Sequence, residues 1–134
     1  MALQARLYRT LDDIRSLAEL SPRISICKGS YEEPAQAVAP VGKVSELFLR
    51  AVSRSADCAS LIGISTHNRD LIEESRRLLS LAGRTRSDYE FQTLLGVNPR
   101  LEDELLEAGE PLRVYVPYGE DWYPYVSRRT RRIG

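Results

Sequence analysis

Polar side chains that could contact a ligand follow two predicted strands of the chain. Lys28-Gly29-Ser30 follows a β-rich run, and Thr66-His67 follows an apolar one. Loops after the strands of parallel α/β folds carry the functional residues. A glycine beside Lys28 permits close approach to a phosphate or a ring carbonyl, and His67 can donate to a polar ligand. Each also has a structural interpretation, because Lys28 can extend into solvent and His67 can be a structural side chain.

A second group of chemistry-bearing residues lies near the C-terminus. Four arginines stand within five positions, namely Arg128, Arg129, Arg131 and Arg132. They are consistent with a solvated basic helix end, with a nucleic-acid contact, or with a clamp in which Arg128-Arg129 grips a small carboxylate. Five aromatic residues precede them: Tyr115, Tyr118, Trp122, Tyr123 and Tyr125. We expect either core packing or a ring-lined pocket beside the arginines.

Composition limits the class of protein. The chain has 134 residues, 43% of them hydrophobic and 28% charged, with 19 basic and 19 acidic side chains. The neutral balance argues against a nucleic-acid partner. Cys27 and Cys58 have no metal-binding spacing, so no metal is expected. With no signal peptide and no membrane-length apolar run, we expect a cytoplasmic protein.

Hydrophobic periodicity predicts five strands alternating with five helices. The strands are predicted at 2–8, 23–28, 60–65, 89–95 and 112–117. The helices are predicted at about 10–20, 44–53, 68–81, 98–108 and 121–132, with Thr10, Asn68 and Asn98 as the N-caps of three of them. The βαβαβαβαβα order requires a parallel sheet. It fits either a small open doubly wound sheet or part of a barrel.

Five segments of the chain resemble the proline dehydrogenase family, and they occur in the family's order. They are LQARLYRTLDD from Leu3, ICKGSYEEP from Ile26, GISTHN from Gly63, YEFQTLLGV from Tyr89 and RVYVPYGEDWYPYVSRR from Arg113. The resemblance implies an α/β fold that is a partial (β/α)8 barrel, corresponding to strands four to eight of the family. Residues 1–134 are then expected to form a single, truncated domain.

The same resemblance implies an activity and its partners. Family members oxidise L-proline to Δ1-pyrroline-5-carboxylate, with FAD as the hydride acceptor and a quinone of the respiratory membrane as the next electron acceptor. Peripheral membrane contact is therefore one expectation for this chain, and association with another chain is a second.

Individual positions match residues to which the family gives a role. Cofactor contacts are implied for Gln4, Lys28, Gly29, Ser30, Thr66 and His67. Catalytic roles are implied for Arg128 and Arg129, which would hold the proline carboxylate, and for Tyr115 and Tyr125, which would enclose its ring. Holding the carboxylate orients the substrate for hydride transfer, and the electron chemistry belongs to the cofactor.

Three positions depart from the family pattern. Ser25 replaces an arginine that contacts the flavin near N5, Arg6 replaces an aromatic residue, and Arg132 replaces an acid that would pair with Arg128. Strands one to three of the family barrel have no counterpart. We therefore expect weak flavin binding and marginal stability. A degenerate non-catalytic relative and an open α/β module that binds a small carboxylate remain the alternative interpretations.

Overall fold

The fold is a five-stranded parallel sheet with its strands in sequence order. The computed structural model describes the backbone of residues 1–130 and the side chains of residues 1–127. The strands are β1 (Ala2–Gln4), β2 (Arg23–Cys27), β3 (Leu61–Ser65), β4 (Tyr89–Leu94) and β5 (Leu112–Tyr115). Each strand pairs in parallel with the next one along the chain. The predicted strands are confirmed, with β1 and β5 shorter than the sequence indicated.

A helix follows each strand, as predicted. The helices are α1 (Thr10–Ser16), α2 (Val44–Ala56), α3 (Arg69–Leu81), α4 (Pro99–Glu107) and α5 (Trp122–Thr130). Side chains cap two of them at the predicted residues. The Oδ1 of Asn68 accepts from the Leu71 amide at 2.9 Å, and the Oδ1 of Asn98 accepts from the Leu101 amide at 3.2 Å. Within residues 1–130 no helix combines the length and apolar composition of a membrane span.

The prediction that Thr10 caps the first helix is wrong. Thr10 lies inside α1 and is buried, while Arg9 occupies the capping position without a side-chain hydrogen bond. The Thr10 hydroxyl instead donates to the Gln4 carbonyl oxygen at 2.6 Å. A threonine hydroxyl can satisfy a nearby carbonyl as readily as a helix amide, so the residue type alone did not decide between them. The bond fastens the start of α1 to the end of β1.

The strand order decides between the two folds that the sequence allowed, a doubly wound sheet and part of a barrel. A doubly wound sheet reverses its strand order at a switch point, whereas this sheet runs β1-β2-β3-β4-β5 without reversal. Right-handed crossovers in one direction place the helices on one face, which is the arrangement of part of a (β/α)8 barrel. On that face five side chains are at most 1% exposed: Ile24, Ile26, Ile62, Ile64 and Phe91. They join α2 and α3 in one hydrophobic core.

The opposite face of the sheet carries polar side chains. Ser25, Gly63 and Glu90 share one level of the sheet, and Gln92 and Arg113 share the next. Arg113 reaches Glu90 with two hydrogen bonds, Nε to Oε1 at 2.6 Å and Nη2 to Oε2 at 2.9 Å. The hydrogen bonds from Arg113 lower the pKa of the Glu90 carboxyl below its ordinary value of 4.5, although partial burial opposes the shift. This pair ties β5 to β4.

The Arg113–Glu90 pair predicts a component of acid sensitivity. A carboxyl whose pKa is lower in the folded protein stabilises the fold above its unfolded pKa of about 4.5, and this stability is lost as the pH falls through the folded pKa. We expect Glu90→Gln to lose less unfolding free energy than the parent between neutral and acidic pH in urea titrations. Glu19→Gln is the control, because Glu19 is exposed and forms no ion pair in the described chain. Equal pH slopes for the parent and Glu90→Gln would contradict the prediction.

Candidate functional site

The candidate functional residues lie along one rim of the sheet. Gln4 ends β1, Lys28 follows β2, Thr66 follows β3 and Tyr115 ends β5. Parallel pairing brings the carboxyl ends of all strands to the same edge, so these residues share a rim. Four interstrand spacings separate β1 from β5, about 19 Å measured along the sheet. Residues from the two outer strands are therefore not neighbours within the sheet.

Gln4 contacts the turn formed by Lys28 and Gly29, the lysine–glycine turn, at the end of the rim where β1 lies. Gly29 has a φ of +102°, and a Cβ built there would lie 2.5 Å from Gln4 Oε1 and 2.6 Å from Arg6 Cγ. Gln4 Nε2 donates to Glu33 Oε1 at 3.2 Å, a contact that the sequence did not predict. Gln4 Oε1 is buried and has no hydrogen-bond partner within residues 1–127, the part of the chain whose side chains are described. Only a glycine at position 29 lets the Gln4 and Arg6 side chains fill the cradle formed at this turn.

A cavity of about 930 Å³ opens beside this cradle. It lies between the segment after β1, the lysine–glycine turn and the start of α2. Its lining includes Arg6, Tyr8, Lys28, Gly29, Val44 and Ser45. Two of the predicted cofactor contacts, Lys28 and Gly29, therefore face one cavity. Arg6 faces it too, although the sequence indicated only that position 6 departs from the family pattern.

Thr66 and His67 are held by the protein at the end of β3. Thr66 is 7% exposed, and its Oγ1 accepts from the Asn68 amide at 3.2 Å. His67 Nε2 accepts from the Leu94 amide at 3.0 Å, which requires that nitrogen to be unprotonated and assigns the ring proton to Nδ1. Neither residue lines the cavity at Lys28. Their cofactor role stays a prediction.

A polar bridge crosses the sheet below the rim. Ser25 Oγ donates to Gln92 Oε1 at 2.5 Å, and Gln92 Nε2 donates to Glu90 Oε1 at 2.8 Å. The bridge passes over Gly63, where a Cβ would overlap the Gln92 amide, and Gln92 is only 5% exposed. The sequence reasoning missed this arrangement. Its one signal was the glycine inside an otherwise apolar strand, which often marks a close approach by another group.

The aromatic segment after β5 forms a shallow cavity without the two predicted tyrosines. This cavity, of about 520 Å³, is lined by Pro117, Tyr118, Gly119, Glu120 and Trp122. Tyr115 is 45% exposed and Tyr125 is half-buried, and neither lines it. Tyr118 is 99% exposed and Trp122 is 51% exposed, so this depression is an open surface, and the substrate contacts of Tyr115 and Tyr125 stay a prediction.

The predicted arginine clamp falls at the edge of the described chain. The α5 backbone runs through Arg128 and Arg129, whose side chains lie outside the described residues, as do Arg131 and Arg132 altogether. The carboxylate-binding role of the pair stays a prediction.

The Gly29 cradle predicts a strong effect of a single methyl group. Gly29→Ala places a Cβ against Gln4 and Arg6 on a backbone with positive φ, so we expect a loss of about 2 kcal/mol in unfolding free energy. Gly42→Ala is the matched control, because a Cβ there meets nothing within 4 Å. Chemical denaturation of both variants measures the difference. Equal stability of the two variants would contradict the described packing.

Known proteins resemble this chain in sequence. The family described as proline dehydrogenase matches residues 28–131. A proline dehydrogenase from Deinococcus radiodurans is 38% identical over 128 residues, covering 95% of this chain and 41% of that protein. Proline dehydrogenase 1 from Bacillus subtilis is 35% identical, covering 95% of this chain and 42% of that protein. The chain thus spans about two fifths of the length of these relatives.

Solved structures share the fold. Proline utilization A from Bdellovibrio bacteriovorus, inactivated by N-propargylglycine, superposes with a TM-score of 0.86 at 18% identity, covering 96% of this chain and 16% of that one. A variant of proline utilization A from Bradyrhizobium japonicum gives a TM-score of 0.80 at 19% identity, covering 97% of this chain and 16% of that one. The family match extends over most of the sequence, and this chain belongs to the proline dehydrogenase family.

Proposed function

We propose that this chain contributes to a flavin-dependent oxidation of L-proline to Δ1-pyrroline-5-carboxylate. Its relatives are named proline dehydrogenases, and they are similar to it over 95% of its length. The observation that carries the proposal is the contact between Gln4 and the Lys28-Gly29 turn at the carboxyl rim of a parallel sheet. Two positions for which the resemblance implies flavin contact, far apart in sequence, are neighbours in the fold.

The residues at this rim fit a flavin dinucleotide. Among the described residues the buried acceptor Gln4 Oε1 has no partner, and a buried acceptor of this kind is costly unless a donor reaches it. A flavin ring carries such a donor. Lys28 supplies a positive charge for the phosphates, and Gly29 lets the Gln4 side chain pack against the turn beside that charge. When bound, FAD would accept the hydride from proline.

The protein's own contribution would be to bind and orient proline. Arg128 and Arg129 would hold the carboxylate, a task suited to the planar guanidinium group. Tyr115 and Tyr125 would pack against the pyrrolidine ring and exclude water. Thr66 and His67 would contact the cofactor from β3, with the His67 ring already fixed by the Leu94 amide.

Further partners are part of the proposal. β1 and β5 are the outer strands of the described sheet, and outer strands offer unpaired backbone groups for further pairing. We propose that another chain or segment completes the site at these edges. A quinone would take the electrons onward, with contact at the membrane surface.

A non-catalytic relative is the second candidate, and the Ser25–Gln92 hydrogen bond favours it. The resemblance implies an arginine at position 25. Here the neutral serine hydroxyl donates a hydrogen bond to Gln92 instead. Serine supplies no fixed positive charge beside a flavin. The chain would then keep part of a binding surface and lack turnover.

Flavin binding and turnover distinguish these two candidates. The purified chain is titrated with FAD, its absorbance and fluorescence are followed, and proline-dependent reduction of a dye is then measured. We expect weak but saturable flavin binding, because Gln4, Lys28 and Gly29 are in place whereas the charge at position 25 is missing. Binding with turnover supports the oxidoreductase, and binding without turnover supports the non-catalytic relative. No binding at any concentration of FAD contradicts the oxidoreductase and leaves the non-catalytic relative.

Restoring the positive charge at position 25 tests the assignment of the site. We expect Ser25→Arg to bind FAD about ten- to a hundredfold more tightly, since a charged hydrogen bond contributes about 1.5–3 kcal/mol. Ser53→Arg is the matched control, because Ser53 is exposed on α2 and the same charge is added away from the rim. Equal affinities for both variants would show that position 25 does not face the flavin.

A further inference from the structure

We propose that Arg6 and Lys28 form a binding subsite for a phosphate group in the 930 Å³ cavity between β1, β2 and the start of α2. The proposal does not rest on proline oxidation. The resemblance implies an aromatic residue at position 6, so the second positive charge of this cavity belongs to this chain rather than to the family pattern.

Backbone hydrogen bonds hold the two cationic residues side by side. The Ala5 amide donates to the Cys27 carbonyl oxygen at 2.7 Å and the Arg6 amide to the Lys28 carbonyl oxygen at 3.1 Å, and these bonds join the segments that follow β1 and β2. The opposite wall is fastened in the same way, because the Ala39 amide donates to the Arg6 carbonyl at 2.8 Å and the Tyr8 amide to the Ala37 carbonyl at 3.1 Å. The cavity is therefore part of the folded framework.

Arg6 and Lys28 differ from the neighbouring basic side chains in their charge pairing. Nearby basic side chains are paired, Arg9 with Asp13 at 2.7 Å and Lys43 with Glu46 at 3.3 Å. In the described part of the chain neither Arg6 nor Lys28 forms an ion pair, and the Nε of Arg6 is buried with no hydrogen-bond partner. An unsatisfied buried charged donor is costly, so an anion entering the cavity would relieve a cost that the folded chain already bears.

The remaining lining favours a phosphate ester over a bare ion. Val44 and Ser45 bring the first turn of α2 to the cavity, where the 3-10 turn Val41–Lys43 precedes the helix and the Val44 amide already donates to the Val41 carbonyl. The anion contacts therefore come from the side chains, and the Arg6 guanidinium group can bind phosphate in a bidentate manner. Val38, Ala39 and Val41 line the rest of the cavity and suit an apolar or ring-bearing portion of the ligand.

Titration with inorganic pyrophosphate tests the subsite directly. Isothermal calorimetry is performed on the parent chain, Arg6→Gln, Lys28→Gln, Arg6→Lys and the control Arg50→Gln, and circular dichroism verifies folding. Arg50 is exposed on α2 and lies outside the cavity lining. We expect saturable binding by the parent, a dissociation constant about tenfold higher in Arg6→Gln and Lys28→Gln, and partial recovery in Arg6→Lys. The control should bind as the parent does.

The outcomes separate this proposal from the proposed function. Absence of parent binding, or equal binding by Arg6→Gln and the parent, would overturn the subsite whatever the flavin assay gives. A repeat titration in saturating FAD identifies the source of the phosphate. Loss of pyrophosphate binding assigns the subsite to the phosphates of a dinucleotide, and retained binding assigns it to a separate phosphorylated molecule. Both of these results support the subsite.

Discussion

Sequential parallel pairing of the strands is the constraint on which the rest of the structure depends. Each strand runs in the same direction and pairs with its predecessor, so each connection must cross back over the sheet, and helices make these crossings. The carboxyl ends are then gathered at one rim. Because the Ala5 amide donates to the Cys27 carbonyl and the Arg6 amide to the Lys28 carbonyl, the segments that follow β1 and β2 are tied to each other at that rim. Polar groups in these loops can therefore keep fixed positions.

The features that the sequence predicted are those that local physics determines. Alternation of apolar side chains indicated the strands, and Asn68 and Asn98 each cap the helix that follows through a contact within three residues. Thr10 shows where a local pattern fails as a predictor. Its hydroxyl donates to the Gln4 carbonyl at the end of β1 and does not cap the helix that it begins. The Ser25–Gln92 bridge spans 67 residues of sequence, and no local pattern encodes such a contact. The cavity beside Arg6 was missed for the same reason, since three separate segments form its walls.

Two of the departures from the family pattern concern the position of positive charge. The chain lacks an arginine at position 25, on the polar face of the sheet, and has one at position 6, beside the lysine–glycine turn. The hydroxyl at position 25 is incorporated into a neutral bridge, whereas the guanidinium at position 6 forms no ion pair with the residues that the structure describes. The electrostatic field at the β1 end of the rim is accordingly more positive than a Gln4–Lys28 pair alone would make it.

Gly63 constrains how this chain can change over evolutionary time. Its missing side chain makes the room through which Gln92 reaches Ser25, so any larger residue at position 63 would collide with the amide and force it aside. Variation at the three positions 25, 63 and 92 is therefore coupled. Arginine at position 25 and glutamine at position 92 would share the same room above Gly63, so what a lineage gained from that arginine would depend on how far the glutamine turns aside.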